Sequence, residues 1–122
     1  MTSKRKTQPY GLKRVYEPPD HGDGFRVLVD RLWPRGVAKG KAHIDLWLRD
    51  VAPSDALRRR FHGEPAKWRE FVAAYGRELK EAPASAALEI LRQRAAEGPV
   101  TLLFAARDEA HNNAVALKML ME

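Results

Sequence analysis

The sequence predicts an α/β chain, a small layered fold with a short sheet flanked by helices. Three observations carry this. Val27-Leu28-Val29 and Val100-Thr-Leu-Leu-Phe-Ala-Ala106 are nearly unbroken apolar runs, as expected of strands covered on both faces. The stretch between them contains apolar residues at helical spacing. Strands separated by helices point to α/β layers rather than to a sandwich or a bundle.

The elements follow in order. Residues 1–11 read as a disordered, basic lead-in closed by Pro9 and Gly11, leaving 12–122 as a single α/β domain. Leu12–Tyr16 is a strand stopped by Pro18-Pro19, and Asp20-His21-Gly22-Asp23-Gly24 is a turn signal. Phe25–Asp30 is the second strand, and Val37–Ala42 is a connection. Residues 44–51 are ambiguous: Ile44, Leu46 and Leu48 alternate, whereas Ile44, Trp47, Leu48 and Val51 share a helix face.

Ser54 suits an N-cap for a helix reaching about His62, with Asp55 in its first turn. Glu64-Pro65 opens a second helix, in which Trp68, Phe71, Val72, Tyr75 and Leu79 form a core-facing stripe. Pro83 breaks it, and Ser85 is the expected cap of a third helix bearing Leu88, Leu91 and Ala95, with Gly98 just past its end. After Val100–Ala106, Asp108 is the expected cap of a final helix holding Ala114, Leu117, Met119, Leu120 and Met121.

Composition narrows the function. The chain has 122 residues and no cysteine, which excludes disulfides, thiolate metal sites and cysteine nucleophiles, and fits a cytoplasmic protein. No apolar run approaches a membrane helix, so no membrane partner is expected, and no secretory leader is visible. The net charge of +6 is unevenly placed: residues 1–14 carry +5 and the remainder only +1. The high charge therefore reports the head of the chain more than its body.

Two polar clusters follow the apolar runs, and ligands in open α/β sheets sit beyond strand carboxyl ends. One cluster is Asp30, Arg31, Trp33 and Arg35; the other is Arg107, Asp108, His111 and Asn112. If the two strands are parallel neighbours, the clusters meet on one rim, with Asp30 close to Arg107. The three arginines suit a phosphate or carboxylate, and Trp33 suits stacking on a ring. Asp30, Asp108 and His111 are the candidate acids and bases. The alternative is architectural, with Asp30 paired to an arginine such as Arg107 in a network that fixes the loops.

Other features carry less. His21, His43 and His62 lack ligand spacing, so no metal is expected. The 20–24 turn has neither the length nor the final Glu of a calcium loop. There is no Walker motif and no G-x-G-x-x-G, and no cofactor is evident. Arg58-Arg59-Arg60 is a basic run on a helix. Together with the basic head it supports a nucleic-acid-associated module or transcriptional regulator as the rival function.

Several segments, taken together, have a familiar order: Val27–Gly36 (VLVDRLWPRG), Asp45–Ser54 (DLWLRDVAPS) and Thr101–Leu120 (TLLFAARDEAHNNAVALKML). Smaller pieces agree, including Lys13–Tyr16, Leu57-Arg58, Phe61, and Trp68 with Phe71 and Tyr75. Over residues 12–121 the chain resembles the YeaO-like branch of the bacterial domain-of-unknown-function family numbered 488. The resemblance implies a cytoplasmic single-domain α/β fold with a short, mainly parallel sheet, and tilts residues 44–48 toward strand. It transfers no reaction. Longer relatives carry cysteines near the last strand, and this chain has none.

The leading expectation is therefore a protein that binds an anionic, phosphate- or nucleotide-like small molecule at the strand-end rim, with enzymatic activity left open. A nucleic-acid module is the second reading and a non-catalytic interaction domain the third. Oligomeric state is not specified by the sequence.

Overall fold

The structure is a computed structural model that describes residues 9–122. Four parallel strands form one sheet: β1 (Tyr10–Arg14), β2 (Phe25–Leu28), β3 (Leu46–Trp47) and β4 (Val100–Phe104), in the order β1-β4-β2-β3. Four α-helices accompany it: α1 (Asp55–Phe61), α2 (Trp68–Glu78), α3 (Ala84–Glu97) and α4 (Asn113–Met121). Among the described residues, no helix is long and apolar enough to cross a membrane.

The central strand is β4, every residue of which is buried. Its alternation divides the core. Val100, Leu102 and Phe104 face a large cluster to which all four helices contribute, through Leu57 and Phe61, Phe71 and Tyr75, Leu91, and Leu117. Leu103 faces the other way and packs with Leu28 and Val15. Among the described residues, no helix contributes to this second face. It is closed by the segment between β2 and β3, which lays Trp33, Val37, Ala42 and Ile44 over it, with Trp47 alongside. The expected α/β fold, a short parallel sheet flanked by helices, is the one found; the described helices gather on one face, and the 30–45 segment, rich in large apolar side chains, closes the other.

Several boundaries differ from the sequence expectation. Residues 1–8 of the expected lead-in lie outside the described residues, but Tyr10 and Gly11 belong to β1 rather than to a lead-in. Tyr10 pairs with Val100 and is buried, so its register is set by a partner far away in the chain. The ambiguous 44–51 segment resolves into both readings: the short strand β3, then a single 3-10 turn over Arg49–Val51. Ser54 caps α1 as expected, accepting from the Leu57 N–H at 3.1 Å. Ser85 caps nothing, since α3 already begins at Ala84 after Pro83.

The turn before β2 has a strict steric demand. Gly24 has φ 65°, and a Cβ there would lie 2.2 Å from the Pro99 carbonyl oxygen. That close approach lets the Phe25 N–H reach the same oxygen at 3.0 Å and starts the β2–β4 ladder.

Candidate functional site

Because β2 and β4 are parallel neighbours, their carboxyl ends lie on the same side of the sheet. The chain leaving β2 runs toward β3, while the chain leaving β4 runs to α4, which packs against β1 and β4. The two connections diverge, and a crevice opens between them at a topological switch point. A pocket of about 450 Å³ occupies that crevice. Its walls come from the turn after β2, the segment after β4, the start of α4, the end of α1 and Tyr16 after β1.

Asp30 sits where β2 ends, and its side chain lines the pocket. Its Oδ2 accepts the Ala105 N–H at 3.0 Å. Burial raises its pKa above the ordinary carboxylate value. The Ala105 N–H, the Asn113 side-chain amide and the charge of Arg58 pull the other way without cancelling the effect. Among the described residues it forms no ion pair, with Arg107 or with any other cation. The expected Asp30–Arg107 pairing is therefore corrected: the backbone of Ala105 occupies the position in which an arginine was expected.

The arginines divide. Arg31 lines the pocket while clamping the loop before α1, donating to the Pro53 and Ala52 carbonyls at 3.2 and 3.1 Å. Arg35 is exposed at the pocket and its guanidinium has no partner among the described residues; its carbonyl accepts from the Tyr16 hydroxyl at 3.0 Å. Arg107 is exposed and does not line the pocket. Trp33 lines it, with its indole N–H donated to the Val37 carbonyl and its ring set edgewise on Trp47, centroids 5.4 Å apart.

The second cluster is partly architectural. Asp108 is exposed and outside the pocket lining; its carboxylate accepts from the Ala110 and His111 N–H groups, both at 2.9 Å. Those two backbone bonds, then the His111 ring, hold its pKa below the usual range. It ties this turn and does not cap the last helix. Asn112 is the cap, accepting from the Val115 N–H and donating to the Asp108 carbonyl. His111 does line the pocket. Its Nδ1 lies 3.2 Å from the Asp108 carboxylate, and its ring meets the edge of Trp68 with centroids 5.2 Å apart.

Several pocket residues escaped the sequence reading of the rim, among them Phe61 and three polar ones. Arg58 reaches it from α1, with one guanidinium nitrogen 2.9 Å from Asp55. Asn113 donates to the Val29 carbonyl at 3.0 Å and stands beside Asp30. Tyr16 lies under the Arg14 guanidinium, 4.9 Å from ring to charge. Arg58 was visible only as part of a basic run, and nothing local tied that run to the rim. Among the described residues, no three His, Cys, Asp or Glu side chains are placed to share a metal ion.

Comparison with known proteins gives relatives without an assigned activity. The family model described as the inactive DUF488-N3 subclade matches residues 10–122. An uncharacterized protein of Mycobacterium tuberculosis (strain H37Rv) is 43% identical over 110 residues, covering 90% of this chain and 91% of its own. The uncharacterized protein YeaO of Escherichia coli K12 is 40% identical over 105 residues, covering 86% of this chain and 90% of its own. No solved structure matches.

Proposed function

The chain belongs to the inactive DUF488-N3 subclade, and we propose, from the geometry of its pocket, that it binds an anionic, phosphate- or nucleotide-like small molecule in the strand-end pocket without transforming it. The observation that carries the reading is the meeting of Arg31, Arg35 and Arg58 around one cavity at the switch point. The volume of about 450 Å³ lies within the ordinary range for small-molecule sites.

Binding is favoured over turnover on two grounds. The subclade is described as inactive. The pocket lining, among the described residues, contains no Ser, Thr, Lys or Cys to act as a nucleophile. Tyr16, Asp30 and His111 remain as groups with nucleophilic or acid–base chemistry, and in this reading they recognise rather than react. Cytoplasmic residence is part of the same proposal, supported by the cysteine-free composition.

Thermal melts with and without inorganic phosphate test the reading. Phosphate should raise the melting temperature of the wild type; a ligand at a hundred times its Kd adds about 2.7 kcal/mol. Arg35→Ala should keep the unliganded stability within about 0.5 kcal/mol and lose the phosphate-induced shift, while Arg107→Ala should change neither. A wild type that phosphate and nucleotides leave unmoved would overturn the proposal. A loss of duplex binding on deleting residues 1–8, with steep salt dependence, would favour the nucleic-acid module instead.

A further inference from the structure

Asp30 is a half-buried carboxylate with spare acceptor capacity. An ionised carboxylate offers about four lone-pair sites. The Ala105 N–H and the Asn113 amide engage it, and no cation of the described residues pairs with it. Neither nearby guanidinium pairs with Asp30: Arg31 donates to the Ala52 and Pro53 carbonyls, and Arg58 places one nitrogen on the exposed Asp55 carboxylate while still lining the pocket. Asp30 lines the open pocket, so its remaining acceptor sites face the space that a ligand would enter, and a donor-bearing ligand group can take the place of solvent there.

Depth sorts the pocket chemically. Asp30 is shielded, whereas Arg35 and Arg58 are exposed. The ligand therefore carries hydrogen-bond donors at its inner end and negative charge at its outer end. The lining also includes the rings of Trp33 and Phe61, which suit a flat apolar face.

Among nucleotide bases, guanine alone presents two adjacent N–H donors on its pairing edge, the ring N1–H and the 2-amino group. These match the two oxygens of a carboxylate in a bidentate pair. Adenine and cytosine present a donor beside an acceptor, and uracil one donor between two acceptors. Each of these sets a lone pair against the carboxylate, which discriminates by repulsion as well as by lost bonding.

We propose that the pocket selects guanine nucleotides, with Asp30 reading the base edge and Arg35 and Arg58 holding the phosphate. The proposal rests on the anion-binding reading above and adds the identity of the base. The nucleotide can be free or can terminate a strand, and both present the same groups.

Calorimetric titration of the full chain with GMP, IMP, AMP and inorganic phosphate tests it. GMP should bind at least about tenfold more tightly than AMP. IMP lacks the 2-amino group and should fall between them. Asp30→Asn retains an acceptor for the Ala105 N–H. It should bring GMP and AMP within about twofold of each other and, by removing a like charge near the anion, tighten phosphate binding modestly rather than weaken it. A short oligonucleotide ending in guanosine that binds more tightly than GMP would support the proposal with a strand end as the source. Equal affinity for GMP and AMP in the wild type, with both lost in Arg35→Ala, would overturn the base assignment and leave the anion site standing. No binding of phosphate or any nucleotide would defeat both.

Discussion

Two aspartates flank the same strand, and their surroundings are opposite. Asp23 precedes β2 and Asp30 follows it. Asp23 is buried, and its carboxylate meets the Lys13 ammonium at 2.9 Å, the Arg26 guanidinium and the Asp20 N–H. Arg26 is itself buried and also donates to the His43 and Ala42 carbonyls, while Thr101 seals the site by donating to the Asp23 carbonyl. Burial raises the Asp23 pKa, but Lys13, Asp20 and Arg26 outweigh it, and the net shift is downward. At Asp30 burial wins, and the shift is upward. The two environments separate an architectural charge from one open to a ligand. A buried charge with a full set of internal partners holds the amino end of the sheet together. A half-buried charge left without a cation at the carboxyl end, on the wall of a pocket, is available to something else.

The largest effect should come from breaking the closed cluster. Asp23→Ala leaves the buried Arg26 without its counter-charge and should cost about 3–5 kcal/mol in urea unfolding. The pH dependence follows from the lowered pKa. The Asp23 contribution is fully present above the ordinary carboxylate pKa and is lost as pH falls through the lowered folded value. Wild-type unfolding should therefore show an acid-labile component that Asp23→Ala lacks. A loss of under about 1 kcal/mol would mean that the cluster is not the clamp described here.

Asp30 should respond in the other direction. Its raised pKa means that its contribution is fully present below the ordinary carboxylate value and is lost as pH rises through the folded one. At neutral pH the charge is therefore a burden on the unliganded fold. Asp30→Asn should stabilise the protein by about 0.5–2 kcal/mol, as substitutions at strained functional positions often do. Asp30→Ala strands the Ala105 N–H and should fall below Asp30→Asn by about 1–3 kcal/mol. Equal destabilisation by both would make the Asp30 carboxylate structural and would erase its contrast with Asp23.

Much of this contrast was legible in local pattern, and the misses share a cause. The apolar runs of β2 and β4, the Ser54 cap and the Trp68–Phe71–Tyr75 stripe each depend on neighbours within a turn or a strand. The family resemblance added the parallel sheet, which is the arrangement found. What failed depends on distant partners. Tyr10 enters β1 because Val100 pairs with it. The 30–45 segment covers a sheet face without any helical periodicity to announce it. Arg107 looked like a rim residue because it follows the last apolar run, but β4 ends at Phe104, and it is the Ala105 backbone that meets Asp30. Asp108 and Asn112 are both plausible caps by residue type. Only the path of the chain assigns the first to the turn and the second to α4.

The most direct test is a carbon-detected NMR titration of the Asp23 and Asp30 carboxyl groups in one sample, without and with inorganic phosphate, at matched ionic strength. Asp23 should titrate below the ordinary carboxylate value and Asp30 above it. Bound phosphate places a like charge near Asp30, so it should raise that midpoint further and leave Asp23 where it was. Two aspartates that both titrate low, or an Asp30 midpoint that phosphate does not move, would contradict this expectation.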